Sequence, residues 1–415
     1  FCRRLSIGKL LSNAFHQSTN GGIMNKQVDD NVKQDAIFGN IWIRDTTGLD
    51  FKKPDMSGKY CTKLFTWFEV GAGGKVWMCC PTWLPYSIGN ILEESIEEIW
   101  NGKKAQQLRK QIFDGEWNYC QAAFCPRIQS GHLPTIQNVL NGDEPAQFHE
   151  ISALSNQSLI STELPTKIVF CEDQSCNLKC PSCRTDKILH TTGPVYDKAK
   201  RINDRMVEFF LTKPTDRSFS IFVTGSGDPW ASKIYRDMLS RLDGKDFPNL
   251  SIHMQTNGVM YTPKMWKKIK KIHNNLRNCR ISFDAGTKDT YENKTRLNGD
   301  WDLLLSNSDF LDKKNDEFPL FKIIYDFVVQ YDNYKEMKTY IELIKSRFPN
   351  HGQICFSLVS DWGTWAPGVY NEKCIWKDDH PEHQEFLNCL KDPVFDSNKV
   401  ELGNLTSMRE KAISQ

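Results

Sequence analysis

A short apolar run, Ile168 to Phe170, stops at a turn-rich segment that carries Cys176, Cys180 and Cys183. This junction limits the fold more than any other stretch of the chain. The run reads as a strand and the segment after it as a loop. With three and then two residues between the thiols, a loop can wrap around a small inorganic cluster and bring all three onto it. Three thiolates on a cube of four irons leave one iron without a protein ligand, open to a chelating substrate or cofactor. Two other readings of the same residues stand beside this one: a zinc knuckle, which needs a fourth ligand, and three buried free cysteines. Cys171 lies close, but its side chain belongs to the strand.

From Lys167 onward, strand-like and helix-like segments alternate, the pattern of parallel α/β architecture. Strands are predicted at Ile168–Phe170, Phe219–Val223, Leu250–Gln255, Cys279–Phe283, Phe321–Val329 and Ile354–Leu358. Helices are predicted near Ala199–Phe210, Ala231–Leu242, Pro263–Ile272, Trp301–Leu311 and Tyr334–Phe348. The pattern alone allows an open barrel or a doubly wound sheet. Polar motifs fall at strand carboxyl ends, where such folds bind ligands. Thr224-Gly225-Ser226-Gly227-Asp228-Pro229 is a tight turn that exposes backbone groups beside a carboxylate. Gln255-Thr256-Asn257-Gly258 is a second turn. Ser282 and Asp284 share a strand face and suit ribose or substrate hydroxyls, with helix capping as the alternative for Asp284. Arg296 offers a fork of donors for a carboxylate, or belongs to a solvated basic cluster. Ser360 to Trp365 lines a substrate mouth or plugs the barrel bottom.

A second group of cysteines comes earlier: Cys61, Cys79, Cys80, Cys120 and Cys125. Alternating runs between Phe65 and Met78, joined by Gly71-Ala72-Gly73-Gly74, signal a hairpin that returns Cys79 toward Cys61. Helical stripes at Leu92, Ile96, Ile99 and Trp100, then at Leu108, Ile112 and Phe113, end near Gly115 and bring Cys120 and Cys125 back. Four thiolates leave no open iron and suit electron transfer or structure; zinc fits the ligand count equally well. Cys80 competes with Cys79, and hairpin register decides between them because adjacent strand residues face opposite ways. A strand is also predicted at Ile41–Ile43. In the tail, His380, His383, Cys374 and Cys389 are too irregularly spaced for zinc, and an extension covering an open sheet edge fits better.

The motif Cys176-Asn177-Leu178-Lys179-Cys180-Pro181-Ser182-Cys183 resembles the signature of the radical S-adenosylmethionine (SAM) superfamily. The resemblance implies that Cys176, Cys180 and Cys183 hold a catalytic [4Fe-4S] cluster with SAM on its open iron; Ser182 stands where that family usually has an aromatic residue. It further implies that Gly227 and Asp228 bind the methionyl amino group, with Asp in place of the usual Glu. Thr256 and Asn257 then match the family's Thr-Asn-Gly turn, Ser282 and Asp284 reach the ribose or the substrate, Arg296 the SAM carboxylate, and Gln330, with Asn333, the cofactor rim. Cys61-x12-Gly74-x4-Cys79, with the helical segment through Arg109, is similar to the SPASM/Twitch auxiliary-cluster modules of many such enzymes. Here the module precedes the barrel, and the implied content is one auxiliary [4Fe-4S] cluster held by Cys61, Cys79, Cys120 and Cys125.

The expected fold is therefore α/β: a partial (β/α)6 TIM-like barrel of the radical SAM type plus a small amino-terminal cysteine-rich α+β auxiliary-cluster domain. Its expected divisions are an extension over 1–23 ahead of a start at Met24, the cluster module over 24–135, a linker over 136–166, the barrel over 167–370 and a carboxyl-terminal extension over 371–415. The 53 Lys plus Arg nearly balance the 51 Asp plus Glu, so no global field recruits nucleic acid or an anionic membrane. Grouped cysteines in a chain of 415 residues read as metal ligands in a reducing cytoplasm rather than a disulfide framework. The implied activity is reductive cleavage of SAM to a 5′-deoxyadenosyl radical and hydrogen abstraction, with oxidative modification of a peptide or protein favoured. Dehydrogenation or epimerisation of a small polar metabolite, and a non-catalytic iron–sulfur redox or scaffold protein, are the alternatives. A flavodoxin or ferredoxin is the expected donor. Because a stray thiol would quench a radical, Cys279 and Cys355 are expected to point away from it.

Overall fold

The computed structural model describes residues 54–415 apart from 123, 124, 224, 225, 350, 351 and 367. The strand expected at 41–43, the segment 1–23 and the first two residues of the turn 224–229 lie outside the described residues. The strands, in chain order, are β1 (Trp67–Gly71), β2 (Lys75–Trp77), β3 (Gly89–Asn90), β4 (Lys167–Cys171), β5 (Phe219–Val223), β6 (Leu250–Thr256), β7 (Leu276–Ser282), β8 (Lys322–Val329), β9 (Gln353–Leu358) and β10 (Val400–Glu401). They form one sheet in the order β10-β9-β8-β7-β6-β5-β4-β1-β2-β3. From β1 and β4 through to β10 every pairing is parallel, while β2 and β3 finish the other edge antiparallel. The sheet does not close on itself, and β4 to β9 are the six strands of the expected partial barrel.

Helices return the chain between these strands for the reasons the sequence suggests. Pro194–Phe210 buries Tyr196, Ala199, Ile202, Met206 and Phe210 along one stripe. Ser232, Thr262 and Asp300 cap the helices Lys233–Arg241, Pro263–Lys268 and Trp301–Glu317 through their side chains. Ile324, Tyr325 and Asp326 of β8 pair with Gln353, Ile354 and Cys355 of β9, so the inward faces of these neighbours share one level of the barrel wall.

Two regions differ from expectation. Residues 136–166, expected to be a linker, contain the helices Ile136–Asn141 and Phe148–Ser155. The second is held by a capping box and by Glu150, which accepts from Tyr60 and Thr62. The cysteine module, expected as a small amino-terminal α+β domain, continues the barrel's sheet: β1 pairs with β4 from Trp67↔Lys167 to Gly71↔Cys171. At the opposite edge, β10 of the tail pairs with β9. In that tail His380 and His383 are engaged with the carbonyls of Glu372 and Ile375.

Arg109 locks the helical part of the cysteine module. It is 0% exposed, and its guanidinium donates to the carbonyls of Leu64 (3.1 Å), Leu159 (2.9 Å) and Trp100 (2.9 Å) and to Asn101 Oδ1 (2.9 Å). Burial pulls its pKa down to about 9. Arg109→Ala removes four buried charge-assisted bonds, with Asn101 Oδ1 alone keeping a second donor in Ser161 N (2.9 Å), and is expected to cost about 3 kcal/mol. Urea unfolding of the intact chain, followed by tryptophan fluorescence, measures the loss.

Candidate functional site

The cysteine loop hangs from buried carboxylates at the end of β4. Asp173, 1% exposed, accepts from Ser175 N (3.0 Å) and Ser175 Oγ (2.8 Å) on one oxygen and from Ser232 Oγ (2.6 Å) on the other. Glu172 accepts from Asn203 Nδ2 (2.8 Å) and Tyr235 OH (3.2 Å), and burial pushes its pKa up to about 7. The backbone then bonds Cys176 N to Ile188 O (2.7 Å), and a tight turn bonds Cys183 N to Cys180 O (2.9 Å). Cys176 and Cys180 are buried and Cys183 is exposed.

Each thiol has a donor beside it. Leu178 N lies 3.4 Å and Asn257 Nδ2 3.6 Å from Cys176 Sγ. Arg296 Nη1 lies 3.5 Å from Cys180 Sγ, and Arg184 Nη2 3.4 Å from Cys183 Sγ. The three cysteines line a cavity of about 450 Å³. Donors aimed at the sulfurs, beside an open cavity, fit a sulfur-ligated cluster whose remaining face meets a second molecule.

Gly227, Asp228, Thr256, Asn257, Ser282, Asp284 and Arg296 line the same cavity. A Cβ on Gly227 would stand 2.6 Å from Asp173 O and 2.8 Å from Ser175 O, so only glycine lets this turn pack against the root of the cysteine loop. Asp228 spends both carboxylate oxygens on the protein: Trp230 N (2.9 Å) and Ala231 N (3.2 Å) on one, Thr256 Oγ1 (2.8 Å) and Asn257 N (2.8 Å) on the other. It ties the turn after β5 to the turn after β6, which aims Asn257 at Cys176. Asp284 takes a left-handed backbone, φ 56°, a conformation uncommon outside glycine. Its carboxylate accepts from Val328 N (2.8 Å) and pairs with Arg296 Nη2 (2.6 Å). Arg296 Nε is buried with no protein partner. Gln330 is not brought into the cavity; it is 5% exposed and its backbone N–H is held by Asn333.

Several cavity residues were not assigned to this site by the sequence. Glu69 and Cys80 enter from the cysteine module. Burial raises the Glu69 carboxyl to about 7, and Trp67 Nε1 donates to it at 2.9 Å. Arg280 faces in from β7, with its Nε 2.9 Å from Asp326 Oδ2. Arg184 is signalled only by its position after Cys183. Cys279 is fully buried and off the cavity wall, whereas Cys355, expected to point away, lines the cavity together with Cys171. Its position on β9 opposite Asp326 turns its side chain to the inner face. Ser360 and Trp362 line the mouth, and Thr364 Oγ1 donates to Pro181 O at 2.7 Å, fastening that segment to the cysteine loop.

Cys61, Cys79, Cys120 and Cys125 line a second, smaller cavity with Lys63 and Arg127. Cys79 therefore faces this site while its neighbour Cys80 faces the barrel cavity. The buried Lys63 ammonium sits 3.5 Å from the centroid of the Trp67 ring. Gln111 Nε2 lies 3.7 Å from Cys120 Sγ.

Residues 61–126 match the SPASM family, an iron-sulfur cluster-binding domain. The amino-terminal module is accordingly an iron–sulfur cluster-binding module, and all four of these cysteines fall inside the match. No curated protein matches the chain. Similar solved structures include Streptococcus suis SuiB bound to S-adenosylmethionine, at 13% identity and TM-score 0.34, covering 62% of this chain and 56% of that one. A second SuiB structure gives 11% and 0.38, covering 72% and 63%. The FeFe-hydrogenase maturase HydG from Carboxydothermus hydrogenoformans gives 9% and 0.34, covering 69% and 67%. The chain thus spans 56% and 63% of the length of the two SuiB chains. Among the described residues no helix is long and apolar enough to cross a membrane.

Proposed function

We propose that the chain is a radical SAM enzyme in which Cys176, Cys180 and Cys183 hold a [4Fe-4S] cluster and the second cavity holds an auxiliary one. The observation that carries this reading is that three thiols, each with its own donor, line the cavity that also takes in the strand-end turns at 227–228 and 256–257. When bound, such a cluster supplies one electron to SAM, whose cleavage gives methionine and the 5′-deoxyadenosyl radical that abstracts hydrogen. The protein's own part is placement and exclusion. Arg296, with a buried Nε–H lacking a protein acceptor, suits the SAM carboxylate; Ser282 suits a ribose hydroxyl. Asp228 acts by fixing Asn257 and Thr256, its oxygens being fully engaged. Gln330 has no part in this arrangement.

For the substrate we favour a peptide or protein side chain, entering past Trp362, with net oxidation completed through the auxiliary site. The reach of the cavity from Glu69 and Cys80 of the module to Trp362 of the last turn suits an extended occupant. The paired Arg280 and Asp326 on the far wall favour a second reading, dehydrogenation or epimerisation of a small polar metabolite, because they resemble anchors for a charged group. The reductant is a one-electron donor of the flavodoxin or ferredoxin kind, and the thiol clusters suit a reducing cytoplasm.

Anaerobic protein with SAM and dithionite should release 5′-deoxyadenosine. Protein that holds iron but neither binds SAM nor releases 5′-deoxyadenosine would instead be a redox or scaffold protein.

A further inference from the structure

The donors around the cysteine loop differ in charge. Cys176 meets two neutral ones, Leu178 N and Asn257 Nδ2. Beside Cys180, the charge of Arg296 is balanced by Asp284 at 2.6 Å. Arg184 is different. It is 8% exposed, and beyond its 3.4 Å contact with Cys183 Sγ it donates to Gln174 O (2.9 Å) and Ser226 O (2.9 Å). Among the described residues it forms no ion pair with a carboxylate.

We infer that Arg184 is a positioning residue for electron entry: clamped by two carbonyls, its guanidinium sets a fixed, unbalanced positive charge against the Cys183 ligand and makes the cluster easier to reduce. The inference rests on the proposed reading of the 176–183 loop. Reduction adds one negative charge to the cluster, and a cation held in a poorly polarisable wall stabilises the reduced form more than the oxidised one. Donation to a ligand sulfur acts in the same direction. The clamp matters because a mobile arginine would swing to solvent and screen its own effect; the two carbonyls belong to the loop root and to the turn before Gly227, so both must be in place.

The test is an EPR-monitored redox titration of the reconstituted full chain, following the signal that disappears when Cys176, Cys180 and Cys183 are replaced by Ala. Arg184→Gln should move the midpoint to more negative potential, lowering the reduced-to-oxidised ratio at the wild-type midpoint by about tenfold. Arg184→Lys, which keeps the charge, should restore most of it. Should Arg184→Gln fail to hold iron, Arg184→His carries the same test within one chain: its midpoint should drop between pH 6 and pH 9 by more than that of the wild type. An unchanged midpoint in Arg184→Gln, or equal shifts in the Gln and Lys variants, overturns the inference while the cluster reading stands. A wild-type chain with no loop-dependent signal and no loop-dependent iron overturns both.

Discussion

Chains in which Cys176, Cys180 and Cys183 are all replaced by Ala are expected to hold about four iron atoms where the wild type holds about eight. They are also expected to form no 5′-deoxyadenosine from SAM. The loss should be confined to one centre because the two thiol groups line different cavities. The loop itself should survive the change. Its shape comes from Asp173, Ser175 and Ser232, and from the bonds of Cys176 N and Cys183 N, none of which needs a thiol. Iron quantitation with EPR on reconstituted protein makes the measurement. Iron content unchanged by the triple replacement would show that these cysteines ligate nothing.

Single replacements at two adjacent positions should have opposite outcomes. Cys79→Ala is expected to strip the auxiliary site of about four irons, because a four-thiolate cluster seldom tolerates loss of a ligand. Cys80→Ala is expected to leave iron content unchanged. The cause is the hairpin. Glu69 pairs with Trp77 and Val70 with Val76, and the chain leaves β2 with consecutive side chains on opposite sides, sending Cys79 toward Cys61 and Cys80 toward the barrel. Iron content of the two variants, prepared in parallel, decides it. Equal loss in both would mean that the register differs from the one described.

The strands β4 to β9 were legible because each is a short apolar run bounded by turn residues, and helix stripes separate them. The cysteine loop and the strand-end turns were legible for the same local reason: their chemistry lies within a few consecutive residues. What escaped the sequence was long-range. Nothing in Trp67–Gly71 announces a parallel partner a hundred residues away, so the entry of Glu69 and Cys80 into the barrel cavity was invisible. Arg280 and Asp326 read as ordinary strand residues until β7 and β8 are laid side by side. Cys355 was expected to face away on chemical grounds, yet strand alternation turns it inward. Asp228 looked like a ligand-facing carboxylate, and only the positions of Thr256 and Asn257 show that its oxygens are already taken.

The continuous sheet across β1 and β4 also limits how this architecture can be rearranged. A gene fragment beginning at Lys167 would encode a barrel whose first strand offers bare backbone N–H and C=O groups along Lys167 to Cys171, an invitation to self-association. That same strand leads into the cysteine loop. Excising the cysteine module, or transplanting it onto another barrel as an independent cassette, therefore disturbs the loop's foundation as well as removing Cys61, Cys79, Cys120 and Cys125. The two halves have to be inherited, and made to fold, together.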